Sequence, residues 1–148
     1  MNYVKEIEVH FKPRLDITTL ESIISLNDCL TFLRKIWADD IEYRERFYVV
    51  YLNRKNKILG YFLLSAGGSC STVVDIKMVF QPAISLHASS IIIAHNHPSG
   101  TLEPSPQDCN LTKKIADIGL ILDIRILDHI ILTVDNYYSF SDNKPHLL

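Results

Sequence analysis

The sequence predicts a mixed α/β domain in which a single sheet is flanked by helices. Three observations predict it. The apolar run Ile91-Ile92-Ile93-Ala94 suits a buried strand. Two β-rich stretches, Phe47 to Leu52 and Ile58 to Leu64, are separated by a charged turn and read as a hairpin. Leu30, Leu33, Ile36 and Trp37 recur at the 3–4 spacing of one apolar helix face, which would cover the sheet.

The elements follow in order. Residues 4–11 set Val4, Ile7, Val9 and Phe11 among polar positions, the pattern of a short edge strand closed by Pro13. After a polar linker, Asn27 or Asp28 caps the amphipathic helix. The hairpin turns at Asn53 to Lys57 and ends at Gly67-Gly68. Asp75 then opens a helix carrying Ile76, Val79, Phe80, Ile84 and Leu86. Pro82 inside it predicts a kink near Gln81 or a later start, because proline lacks the N–H and clashes with the preceding turn. Ser90 to His95 is the next strand, Ser105 to Ile118 a helix, and Gly119 its stop. Ile121 to Leu127 and Ile130 to Val134 read as two strands, and Asp135-Asn136 turns the chain into Tyr137 to Phe140. Residues 1–26 are thus an N-terminal strand and linker, the core runs from about 27 to 140, and 141–148 is a loose tail.

At 148 residues and 47% hydrophobic content, the chain suits one domain, 1–148, with a substantial core. Its net charge of −2 gives no broad basic field, so DNA binding has no support from overall electrostatics. Cys29, Cys70 and Cys109 are odd in number and form no CxxC pair, which predicts free thiols in a reducing compartment, the cytoplasm. Charged residues interrupt every apolar run, so neither a signal core nor a membrane span is expected.

The chemistry concentrates in His95-Asn96-His97-Pro98-Ser99-Gly100 and Ser105-Pro106-Gln107-Asp108. Residues i and i+2 of a strand share a face, so His95 and His97 can reach one ion. Zinc accepts imidazole nitrogen, and its catalytic sites take three protein ligands and keep one position for water. Asp108 is the natural third ligand. Ser105-Pro106-x-Asp108 is also a good helix start, with Ser at the N-cap and an acid at N3, and one carboxylate can serve both purposes. Two histidines and a carboxylate equally suit non-haem iron, whereas zinc hydrolysis would also need a general base. Glu45, just before the strand beginning at Arg46-Phe47, is either that base or a solvated strand-start carboxylate. Asp128 and His129, between two apolar runs, either pair with each other, cap a turn, or orient a metal ligand. His10, His87 and His146 are given no role.

These residues resemble the JAMM, or MPN-plus, metalloprotease pattern: an upstream Glu, His-x-His, seven residues, Ser, two residues, Asp. His95, His97, Ser105 and Asp108 meet that spacing without a gap. His-Asn-His-Pro-Ser-Gly and the later Leu127-Asp128-His129-Ile130-Ile131 resemble the bacterial RadC-like branch, from about Glu45 to Phe140. The resemblance implies a cytidine-deaminase-like, MPN (JAB) architecture. It further implies Zn2+ on His95, His97 and Asp108 with water as fourth ligand, Glu45 as base and Ser105 as oxyanion donor. It points to hydrolysis of an amide bond in a peptide, isopeptide or protein conjugate. The alternative it carries is a DNA-repair or mobile-element accessory protein that binds DNA or protein without proteolysis; a metal-dependent nuclease is a weaker third. The chain has Val74-Asp75-Ile76-Lys77 where RadC-like proteins carry a Pro-Arg-Glu-like helix start, and its first 40 residues are too few for the N-terminal helical DNA-binding module of longer members.

Overall fold

The structure, a computed structural model, describes Val4, Glu8, His10 and residues 22–38, 40–67 and 73–148. Most of the strand expected over 4–11, together with Gly68 and Cys70, lies outside the described residues. Helix α1 (Leu26–Trp37) starts two or three residues earlier than a cap at Asn27 or Asp28 would place it, because Ser25 is the cap. The Ser25 hydroxyl accepts the Asp28 N–H, and the Asp28 carboxylate in turn accepts the N–H of Ser25. Asp28 is thus the third helical residue of a capping box.

Strands β1 (Arg46–Leu52) and β2 (Ile58–Ala66) form the expected antiparallel hairpin. Helix α2 (Ile76–Ser85) starts where Asp75 caps it and continues through Pro82 without a later start. Strand β3 (Ser90–Asn96) and helix α3 (Pro106–Ile121) lead into β4 (Arg125–Leu132), which lies parallel to β3. The sheet order is β2-β1-β3-β4-β5, with β5 (Tyr137–Ser139) antiparallel to β4. β3 is therefore central, which explains its unbroken apolar run: both of its faces are covered.

Strand alternation divides the core in two. Phe32, Leu33 and Trp37 of α1 cover Tyr48, Val50, Leu52, Ile92 and Ala94 on one face. Val79, Phe80 and Ala83 of α2 and Ile115 and Ala116 of α3 cover Phe47, Val49, Tyr51, Ile91 and Ile93 on the other. Each large apolar side chain buried this way contributes about 1.5–3 kcal/mol before entropy is counted.

Three expectations are corrected. Gly119 lies inside α3 and does not stop it; the helix runs on to Ile121. A Cβ on Gly119 would stand 2.4 Å from the carbonyl oxygen of Ile124, so glycine is what lets the chain turn back against its own helix. Ile121 to Leu127 and Ile130 to Val134 are not two strands. A single β4 carries Asp128 and His129 in its interior, and the polar pair that reads as a break is buried with partners. The end is not loose: Phe140–Asn143 form a short helix α4, capped by Ser139, and Pro145–Leu147 a 3-10 turn. Asp128 anchors this end by accepting the Ser139 hydroxyl at 2.6 Å and the Ser141 N–H at 2.9 Å.

Cys29 and Cys109 are free thiols, and burial pushes Cys29 up to about 12, out of reach of thiolate chemistry. Among the described residues no helix is long and apolar enough to cross a membrane.

Candidate metal centre

The parallel pair β3 and β4, joined through α3, sets the end of β3 against the N-terminus of α3. In open α/β sheets that position, beyond the carboxyl ends of the strands, is where ligands bind. His95 points toward the α2/α3 face with Ile91 and Ile93, as period-2 alternation requires. His97, just past the strand, joins it: the two Nε2 atoms are 3.0 Å apart. Asp108, in the first turn of α3, brings Oδ1 to 3.4 Å from His95 Nε2 and Oδ2 to 3.6 Å from His97 Nε2. His95 is buried, and His97 and Asp108 are half-buried, so the cluster opens to solvent on one side.

The spacing fits a small cation. Tetrahedral donors about 2.0–2.1 Å from a zinc ion are about 3.3–3.4 Å from one another. The three separations, 3.0, 3.4 and 3.6 Å, bracket that edge. The donor set of two imidazoles and one carboxylate suits zinc and also iron, so the residues could hold a metal ion without fixing which one.

Each donor is aimed by its surroundings. The turn from His97 to Gly100, closed by the Gly100 N–H on the His97 carbonyl at 3.0 Å, has Pro98 at its second position. Gly100 has a φ of 84°, a left-handed conformation natural to glycine. The chain thereby returns the Thr101 carbonyl to 2.6 Å from His97 Nδ1. A carbonyl only accepts, so Nδ1 carries the proton and Nε2 offers its lone pair to the cluster. Asp108 belongs to the helix start read from the Ser-Pro-x-Asp segment and also faces the two histidines. Its Oδ2 accepts the Ser105 N–H at 2.8 Å while the Ser105 hydroxyl accepts the Asp108 N–H at 3.1 Å, a full capping box that fixes the carboxylate aimed at the histidines.

The electrostatics agree with the geometry. Burial pushes the Asp108 carboxyl up, but the adjoining His95 and His97 rings and the N–H of Ser105 outweigh it and hold the group well below the usual carboxylate range. The Asp108 carboxylate beside it raises His97 against the opposing effect of burial, with the Thr101 carbonyl and the charge of Glu45 adding to it. Glu45 is half-buried at the entry to β1, its carbonyl held by the Gly67 N–H at 2.9 Å. Two residues further on, Phe47 pairs across the sheet with His95 and stacks on its ring, with centroids 6.0 Å apart. The structure therefore brings all five predicted residues, Glu45, His95, His97, Ser105 and Asp108, to one end of the sheet. A surface hollow lined by Asn53, Arg54, Ser90, Gly119, Asp123 and Arg125 lies at the other end of β3.

Three further residues escape sequence reading. The Asn96 amide crosses to the opposite face and donates to the carbonyls of Ile41 and Arg44 at 2.6 and 2.9 Å. Thr101 orients His97 through its backbone, which no side-chain pattern can report. Thr112 is one helical turn beyond Asp108, and that i+4 spacing was a usable signal. Asp128 and His129 divide the roles considered for them. Asp128 bonds the His129 backbone N–H and caps the chain end, whereas the His129 ring lies 2.8 Å, Nε2 to Nδ1, from His95.

This fold, with its His-His-Asp cluster at the end of β3, defines a JAB-type domain of the JAB/MPN superfamily, which includes metalloproteases. The RadC-like JAB domain family matches residues 21–145, and the chain belongs to that family. It is 43% identical over 127 residues to a UPF0758 protein of Flavobacterium johnsoniae, covering 86% of this chain and 55% of that protein. It is 41% identical over 113 residues to one of Clostridioides difficile, covering 75% and 48%. A UPF0758 protein of Chlorobaculum parvum is 32% identical over 144 residues, covering 97% and 64%. The chain spans about half the length of the first two relatives.

Proposed function

We propose that the domain is a zinc-dependent hydrolase that cleaves an amide bond in a peptide, isopeptide or protein conjugate. The convergence of His95 Nε2, His97 Nε2 and the Asp108 carboxylate, with one side open, is the observation that carries this reading. His95, His97 and Asp108 would hold the ion. When bound there, zinc supplies Lewis-acid polarisation of a carbonyl and lowers the pKa of water to about 7.

The remaining chemistry falls to the chain's own side chains. Glu45, at the same end of the sheet and with its charge felt at His97, takes the proton of the attacking water and delivers it to the leaving nitrogen. The Ser105 oxygen is occupied as the acceptor in the helix cap, but a hydroxyl that accepts still has its proton to donate. That proton is available to the oxyanion as it forms, held on a rigid helix start.

The test is hydrolysis of a panel of fluorogenic peptide and isopeptide amides by the zinc-loaded chain and by Glu45→Gln. The proposal expects turnover by the parent chain and none by Glu45→Gln at unchanged zinc content. Undiminished activity in Glu45→Gln would show that another group is the base. Failure to cleave any amide, together with DNA retention in a gel shift that weakens steeply with salt, would favour the DNA-accessory reading.

A further inference from the structure

We propose that His129 and Thr112 are positioning residues that hold the His95 ring so that its Nε2 presents a lone pair, not an N–H, to His97 and Asp108. The inference rests on the metal reading above. It follows from a chain of hydrogen bonds that returns to the cluster's own third member. His95 Nδ1 lies 2.8 Å from His129 Nε2, and His129 Nδ1 lies 2.6 Å from Thr112 Oγ1. The Thr112 hydroxyl is 2.7 Å from the backbone carbonyl of Asp108, to which it donates.

The direction of this chain is fixed from its far end. A carbonyl only accepts and a hydroxyl has one proton, so Thr112 gives that proton to Asp108 and accepts from His129 Nδ1–H. His129 is fully buried, its ring stacked on Phe140 with centroids 4.6 Å apart, and its two ring nitrogens meet the Thr112 hydroxyl and the His95 ring, with no carboxylate at either to offset a charge, so the ring is neutral. A neutral ring protonated at Nδ1 has its lone pair at Nε2, which accepts from His95 Nδ1–H. His95 Nε2 is then unprotonated, the form a metal ion requires. In the reverse order Thr112 would donate to His129 and His95 Nε2 would carry a proton into the cluster.

The sheet is built to deliver this contact. Ile91 pairs with Ile126, but Ile92 pairs with Asp128, so Leu127 is an extra residue in β4. Without that bulge the alternation would turn His129 toward the α1 face. With it, His129 lies alongside Ile93, on the face that carries His95.

The experiment compares Thr112→Val, which keeps shape and loses the hydroxyl, with Thr112→Ser, which retains it. Zinc affinity is measured on the full chain by competition with a chromophoric chelator. Loss of a ligand-orienting partner typically weakens metal binding by about 10–100-fold, which is the drop expected for Thr112→Val, with Thr112→Ser near the parent chain. Unchanged or tighter zinc binding by Thr112→Val would overturn the proposal, because the reverse order predicts relief on removing the hydroxyl. Imidazole 15N spectra of the zinc-free parent chain give a second readout. Protons at Nδ1 of both His129 and His95 support the proposal, and a proton at Nε2 of His129 overturns it even if the parent chain binds no zinc. Such a failure of the parent chain to bind zinc would count against the metal reading itself.

Discussion

The side-chain oxygen of Asn96 accepts the backbone N–H of Arg46 at 2.8 Å, so the residue between the two histidines is bonded to the residue that follows Glu45. Its amide nitrogen donates to Ile41 and Arg44 on the same loop. Alternation along the end of β3 thus sends His95 to the α3 side and Asn96 to the α1 side, tying the loop that bears Glu45 to the strand that bears the histidines.

Asn96→Ala removes all three bonds from a fully buried position and leaves backbone groups without partners. Each unsatisfied group costs about 1–3 kcal/mol, so the variant is expected to lose at least that much unfolding free energy in urea. Hydrogen exchange over residues 41–46 should quicken. Parent-like stability and exchange would show that the clamp carries no energy.

Gly119→Ala tests the close approach of α3 and β4. Alanine is the better helix former by about 1 kcal/mol, but its Cβ would meet the Ile124 carbonyl oxygen at 2.4 Å. Overpacking of this kind costs about 1–3 kcal/mol, so the net effect is destabilising and is read from a denaturation midpoint. A stabilised variant would mean that the helix end yields freely.

Ser105→Ala separates two duties of one hydroxyl. Losing the cap costs about 1 kcal/mol of stability, and losing an oxyanion donor lowers kcat by about 10²–10³. Zinc should remain bound. If zinc leaves with the activity, the hydroxyl's main task is to hold Asp108 in place.

Asp128 makes the fold sensitive to pH. Burial raises its carboxyl above the ordinary 3.8, against the bonds from Ser139, Ser141 and His129. A group raised in the folded state contributes stability that is fully present below its unfolded pKa and is lost as pH rises through the folded one. Unfolding free energies of the parent chain and Asp128→Asn should therefore shift in favour of the asparagine variant as pH climbs from about 4, then run parallel above the raised value. Parallel curves throughout would show no raised carboxyl.

What the sequence made legible was what repeats locally. The β-rich run of β1, the apolar run of β3 and the Ser105 to Asp108 helix start each encode their element within a few residues, and the His-His-Asp cluster followed because two such signals adjoin. Three features depend on contacts outside their own element and stayed hidden. Asp128-His129 reads as a break because its partners, Ser139, Ser141, His95 and Thr112, come from four other elements. Gly119 reads as a stop because the carbonyl it accommodates belongs to the following turn. The chain end reads as loose because its anchor is a buried acid in β4.

The central claim is that His95, His97 and Asp108 share one metal ion. Zinc titrated into the metal-free full chain, with bound metal counted by elemental analysis, tests it most directly. One ion per chain, lost in both His97→Ala and Asp108→Asn while the fold persists by circular dichroism, is the predicted result. Zinc binding that survives both substitutions, or no binding by the parent chain, would contradict it.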